Sequence, residues 1–431
     1  MSSLNTAVRP ESEIKLELDH SSAKTARKPM LSSALVALIL FGLLNVYLTV
    51  QNPIHFDRYQ FPYKGWAWWI MQDLKGDKSP HNLAVLGSSL TVSSLNSADA
   101  TFYNKSVDLV YYHKTRYLDE KLKEALGAKS DKKIAFDTFN LSIPGQMPSD
   151  ALMALMAMIK TGHKPDVIIY GVAPRDFIDS VLAGPQDTEP FTYLSRVVDI
   201  SPFENEIFTE PFGKINLALP KNLYFYKFAT DFQMKAGKLY QSLIDQIAPE
   251  PNKSKPFTYW DRVKLFPDYK KGEFHPQANM CAPSDLSKPM EYKDNSIEYV
   301  HRYKKMNQVA FETQMNFLGR LADFTEKNGI TLVLVNMPLT TDNLKLLKKE
   351  YYDMYWSRLE PFSERKNTVL FDMNDHTIFK KSEDFHDGVH MNARGGLKFV
   401  DHLVERMTQS PMVKEALIQS GTKFELNERQ Q

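Results

Sequence analysis

The chain has a single cysteine, Cys281, in 431 residues. One thiol excludes an internal disulfide and a multi-cysteine metal site, and it does not by itself fix a compartment. Charge of one sign is lacking too: 53 Lys and Arg stand against 52 Asp and Glu, a net charge of +1. No basic cluster interleaved with aromatics stands out, so nucleic acid is not an expected partner. There is no internal repeat and no low-complexity run. Hydrophobic residues make up 43% and charged residues 24%, which are globular values. The length suits one large domain or two ordinary ones.

One apolar run is long. Residues 31–50, LSSALVALILFGLLNVYLTV, carry no charge over 20 positions. At about 1.5 Å per residue such a helix crosses a hydrocarbon core of roughly 30 Å. Lys24, Arg27 and Lys28 precede it closely, whereas Arg58 and Lys64 follow at a distance. That asymmetry favours a cytoplasmic N-terminus and a main domain on the periplasmic or extracellular side of the plasma (inner) membrane. The run is longer than a usual signal-peptide core and no A-x-A site follows, so a single uncleaved anchor over residues 30–50 is expected, after a polar tail over 1–29. Residues 51–80 read as a juxtamembrane linker with an aromatic helix near 64–75. Its Trp66, Trp68 and Trp69, with Tyr59 and Tyr63, fit an interfacial belt or the core of the following domain equally well.

From residue 81 short apolar runs at 83–86, 134–140, 167–172, 331–336 and 369–372 read as strands. Helical patterns at 106–126, 150–161 and 296–328 lie between them, and Gly162 and Gly329 are suited to end the last two. The methionine-rich 150–161 pattern is apolar on nearly every face and reads as core. This alternation predicts an α/β fold: a flavodoxin-like three-layer sandwich with a central, mostly parallel sheet of about five strands spanning 81–415. Residues 180–295 show one clear amphipathic helix, at about 221–247, and no convincing strand. They read as a large insertion or cap over the fold. Residues 416–431 read as a polar tail.

In open parallel sheets, ligands sit beyond the carboxyl ends of the strands. After the first strand come Gly87, Ser88 and Ser89. Gly87 permits a tight turn, and a helix starting near Leu90 brings N–H groups to a serine oxygen. A serine helix cap explains the same residues. Gly145, after the second strand, suits an oxyanion N–H donor or a plain turn. Arg175, after the third, suits an anionic or carbonyl oxygen, or a surface ion pair. Asn336, ending the fourth, suits a donor to substrate or a turn cap. In DFHDGVHMNARGG, Asp387 and His390 are three apart. That spacing lets a carboxylate hold one ring nitrogen and leaves the other for a serine. Asn392 reads as the N-cap of the next helix, and His386 is a competing histidine without a partner at that spacing.

Taken in this order, GSSL at 87–90, Gly145 and Asp387-x-x-His390 resemble the blocks of the SGNH, or GDSL-type, hydrolase superfamily, over roughly residues 80–180 and 328–415. The resemblance implies a nucleophile at Ser89, with Ser88 at the variable position, an oxyanion donor at Gly145, and Asp387 and His390 as the other triad members. The third block departs from the family: GVAPRDF lacks its asparagine, so Arg175 or Asn336 would have to supply the third donor. An anchor followed by an exported domain with GSS is similar to a membrane-anchored acyltransferase and esterase subgroup. That subgroup includes alginate acetyltransferase proteins, the D-alanyl transfer protein of teichoic acid modification and anchored SGNH-type proteins of cyanobacteria. It implies an acylated cell-envelope polysaccharide or other acyl donor as substrate, a membrane-bound O-acyltransferase as partner, and no metal or organic cofactor. Two further readings remain at this point: a catalytically decayed SGNH-like glycan-binding or assembly factor, and a lipid esterase.

Overall fold

The structure is a computed structural model, which describes residues 32–54, 64–127, 133–182, 184–208, 210–247 and 280–428. The chain forms two units, Met1–Pro53 and Ile54–Gln431. In the first, helix α1 (Ser33–Gln51) starts at Ser32, whose hydroxyl caps the Leu35 N–H. Its 19 residues rise about 28 Å, and it is long and apolar enough to cross a membrane. That is compatible with the expected anchor and with a signal sequence.

The second unit is built on a five-stranded sheet, β1 (Leu83–Gly87), β2 (Thr138–Asn140), β3 (Val167–Val172), β4 (Thr331–Asn336) and β5 (Thr368–Asp372). All pairings are parallel, in the order β2-β1-β3-β4-β5. Every residue of β1, β2 and β3 is buried, which explains why these strands read as continuous apolar runs rather than alternating ones.

The helices pack in two groups. One holds α3 (Ser89–Phe102), α4 (Arg116–Gly127), α7 (Ala393–Gln409) and α8 (Pro411–Glu428). The other holds α2 (Trp66–Gly76), α5 (Pro148–Lys160), the Glu189–Val197 helix and α6 (Gln308–Lys327).

Several sequence expectations are corrected. Strand β2 covers only the last three residues of 134–140. Ile134 packs against the backbone of α8 instead, and the Ala135 N–H donates to Gly421 O. The 106–126 pattern is helical only from Arg116, because Val107–Asp108 pairs antiparallel with Met280–Cys281, a ladder inside the supposedly strand-free insertion. The 221–247 helix is interrupted: Pro211–Asn222, Tyr224–Lys227 and Ala229–Ile247 are separate. The 296–328 pattern breaks between Ser296–Arg302 and α6, where buried Tyr303 turns inward to Asn343. The polar tail over 416–431 is mostly helix, since α8 buries Val413, Leu417 and Phe424 in the domain. The linker is likewise shorter than expected. Helix α2 buries Trp69, Ile70, Met71 and Leu74, which makes Trp69 a core residue, while Tyr59 and Tyr63 lie outside the described residues.

Candidate active site

Strand β1 ends at Gly87, with φ +153°. A Cβ there would stand 2.1 Å from Thr91 Oγ1, so only glycine fits the turn into α3. Ser88 is the N-cap position and Ser89 the first helical residue. The two serines have different environments. Ser88 is buried, and its hydroxyl faces Asp176 closely enough to work against the rise of that carboxyl. Ser89 is half-buried, and its Oγ lies 2.8 Å from His390 Nε2.

His390 in turn holds Asp387. The ring Nδ1 is 2.8 Å from Asp387 Oδ2, while Asp387 Oδ1 accepts the backbone N–H groups of His390 (2.8 Å) and Val389 (2.9 Å). Burial works to raise the Asp387 carboxyl, but the His390 ring and these two N–H groups outweigh it and hold it below the usual carboxylate range. Asp387, His390 and Ser89 therefore form one hydrogen-bonded line. His386 is exposed and takes no part in it, although its N–H donates to His390 O.

The loop is held from outside itself. Gly388 donates to Asn295 Oδ1 at 2.9 Å and accepts from Thr340 Oγ1 at 2.8 Å. Asn392 caps α7 through the Gly395 N–H, and its amide donates to Glu383 O and Phe385 O. Gly396 allows the close approach of α7 to α3, and Gly395 that of α7 to the chain at Asp384, just before the His390 loop. A Cβ on Gly396 would lie 2.3 Å from Ser94 O, and one on Gly395 2.0 Å from Asp384 O.

Gly145, with φ +79°, sits in the turn after β2, and a Cβ there would point into open space. Two hydrogen bonds tie this turn to the serine turn: the Gly87 N–H donates to Gln146 Oε1 (2.7 Å) and the Ile143 N–H to Gly87 O (2.9 Å). Among the described residues, the N–H groups of Ser89 and Gly145 donate to no acceptor. That leaves one backbone donor in each of the turns that follow β1 and β2, the Ser89 one at a helix N-terminus.

Arg175 follows β3 and is mostly buried. Its neighbour Asp176 is fully inside, where burial pushes its carboxyl up to about 7 against the pull of Arg175, the Ala173 N–H and the Ser88 hydroxyl. Asn336 is not a free donor. It is 0% exposed, its amide donates to Asp372 (2.9 Å) and its oxygen accepts from Tyr355 (2.9 Å), so it braces the ends of β4 and β5. Sequence reasoning missed Gln146, Asp176, Asn295 and Thr340. Thr340 was legible as a helix cap, but the partners of all four are remote in sequence.

Among the described residues no group of three or more His, Cys, Asp or Glu side chains is arranged to hold a metal ion. A cavity of about 790 Å³ is lined by Asp73, Asp99, Tyr112, His113 and Arg116 and by none of the residues above.

A family profile described as "Protein of unknown function (DUF1574)" matches residues 135–407, more than half of the chain, beginning beyond Ser89. No curated protein matches the sequence. Among solved structures, a Bacteroides fragilis protein proposed to be an acylhydrolase aligns over 82% of this chain and 99% of its own, with 8% identity and a TM-score of 0.34, a likeness too slight to carry an argument.

Proposed function

The chain belongs to this DUF1574 family, and we propose that it is a membrane-anchored serine esterase or O-acyltransferase of the SGNH type, acting on O-acyl groups of a cell-envelope or extracellular polysaccharide. One observation carries the reading: His390 bridges Asp387 and Ser89 with 2.8 Å on each side. A serine hydroxyl becomes a useful nucleophile when a positioned base takes its proton. The sheet order is that of flavodoxin-like three-layer sandwiches, in which sites form beyond the strand carboxyl ends, and this supports the fold half of the reading.

In this mechanism the neutral His390 ring carries its proton on Nδ1, donated to Asp387. Ser89 Oγ attacks the acyl carbon while Nε2 takes the hydroxyl proton. The Ser89 and Gly145 N–H groups receive the carbonyl oxygen as it becomes an oxyanion. Collapse breaks the ester C–O bond, and the leaving alcohol takes the proton back from Nε2. Water or a sugar hydroxyl then attacks the acyl-serine and gives its proton to Nε2; the acyl–Oγ bond breaks, and Nε2 returns that proton to Ser89 Oγ. Water makes the protein an esterase; a sugar hydroxyl makes it a transferase. With α1 as anchor and its N-terminus in the cytoplasm, the site works on the outer side of the membrane. There a membrane-bound O-acyltransferase would supply acyl groups.

Incubation of the detergent-solubilised full chain with an O-acetylated polysaccharide tests this. Expected are release or transfer of acetate and a transient acetyl mass on the peptide containing Ser89. Tight binding of the polysaccharide with no acetyl-serine and no acetate would favour the non-catalytic glycan-binding reading, and turnover of micellar lipid esters alone would favour the lipid esterase.

A further inference from the structure

Arg175 has an unusual setting. Its side chain is 13% exposed, yet among the described residues its guanidinium makes no hydrogen bond, and Nε is buried without an acceptor. The nearest carboxylate oxygen, Asp179 Oδ2, is 3.7 Å away. Asp179 is itself committed elsewhere, to the Arg302 guanidinium and, at 2.9 Å, to the Val181 N–H. Arg302 also pairs with Glu298. A guanidinium presents five N–H donors in a planar fork, and leaving buried donors unsatisfied is unfavourable. Such a fork matches an anionic oxygen group.

Its position connects it to Ser89. Gly171, four residues earlier, lies opposite Gly87 in the β1–β3 register. Asp176, the next residue, is close enough to Ser88 for that hydroxyl to influence its carboxyl. Tyr299, 2% exposed, is within electrostatic reach of both Arg175 and Asp387. It belongs to the segment that also contributes Asn295 to the His390 loop. The chain returning from the insertion thus forms one wall shared by Arg175 and the Asp387–His390 loop.

We infer that Arg175 binds an anionic group, a carboxylate or a phosphate, carried by the ester substrate near its reacting acyl group. The inference rests on the serine-esterase reading of the same site and adds the charge class of its substrate. It also distinguishes Arg175 from a third oxyanion donor, which would act on every ester alike.

Four esters separate these roles: phenyl acetate, 4-acetoxybenzoate, 4-acetoxyphenyl phosphate and phenyl hydrogen succinate. The second and third carry a carboxylate or a phosphate on the leaving side, and the fourth a carboxylate on the acyl side. Arg175→Gln is expected to lower kcat/KM on at least one anionic ester by about ten-fold or more, mainly through KM, and to leave phenyl acetate within about two-fold. Arg175→Lys should retain part of the anion preference, which a merely structural loss would not. An equal loss on all four esters, or no loss on any anionic one, overturns the inference. If wild-type protein turns over none of them, calorimetric titration of 4-acetoxybenzoate, 4-acetoxyphenyl phosphate and phenyl hydrogen succinate into Ser89→Ala, with and without Arg175→Gln, decides separately. Binding of any of these that requires Arg175 keeps the anion site and sinks the serine chemistry; absence of Arg175-dependent binding overturns the anion site.

Discussion

The Ser89 hydroxyl and His390 Nε2 are 2.8 Å apart across 301 residues of chain. The contact joins the start of α3 to the loop before α7, and those two helices pack directly on each other. It therefore depends on the helix packing as much as on the two side chains.

Asp387→Asn tests the orienting carboxylate. An amide can hold the ring in the other tautomer, which places a proton on Nε2 and removes its basicity toward Ser89. The expected loss in kcat is on the order of 10³- to 10⁴-fold with the fold intact. A loss below ten-fold would remove Asp387 from the mechanism.

The same residue predicts a pH effect on stability. Its folded-state pKa is lowered, so its contribution is fully present above the unfolded value, about 4, and is lost as pH falls through the folded value. Urea midpoints of wild type and Asp387→Asn should thus converge as pH falls from about 6 toward 2. A gap that stays constant over that range would contradict the assignment.

Gly396→Val tests the packing. Its Cβ alone would lie 2.3 Å from Ser94 O, so α7 must move away from α3. Overpacking of this kind is expected to cost about 1–3 kcal/mol. Activity should fall further than stability, because the shift also opens the Ser89–His390 contact. A stable variant with unchanged kcat would show that the close approach is not needed.

Asn336→Ala is expected to behave differently. Buried Tyr355 loses its partner, at about 1–3 kcal/mol of stability, as does exposed Asp372 at little cost, while kcat/KM in the surviving folded protein stays within a few-fold. A large kcat loss at preserved stability would restore Asn336 as a substrate donor.

Much of the fold was legible because the strands are buried on both faces. Residues 167–172 and 331–336 form strands with the expected bounds, and β1 extends the expected run by one residue, to Gly87. The failures share a physical origin in contacts remote in sequence. Ile134 is apolar for the sake of α8 rather than the sheet. Val107 pairs with Cys281 far along the chain. The N-terminus of α4 is fixed by Asp99, whose carboxylate accepts the Arg116 and Tyr117 N–H groups. At the candidate site, residue types and spacing pointed to Ser89, Gly145, Asp387 and His390. They were silent on Gln146, Asn295 and Asp176, whose meaning lies in what they touch. Asn336 read as a donor to substrate or a turn cap because its two partners, Tyr355 and Asp372, could not be foreseen from a strand-end asparagine.

Fluorophosphonate labelling of the full chain, compared between wild type, Ser88→Ala and Ser89→Ala, tests the central claim most directly. The account predicts labelling of wild type on Ser89, persistence of labelling in Ser88→Ala, and none in folded Ser89→Ala. Labelling that survives Ser89→Ala, or is absent from folded wild-type protein, would contradict it.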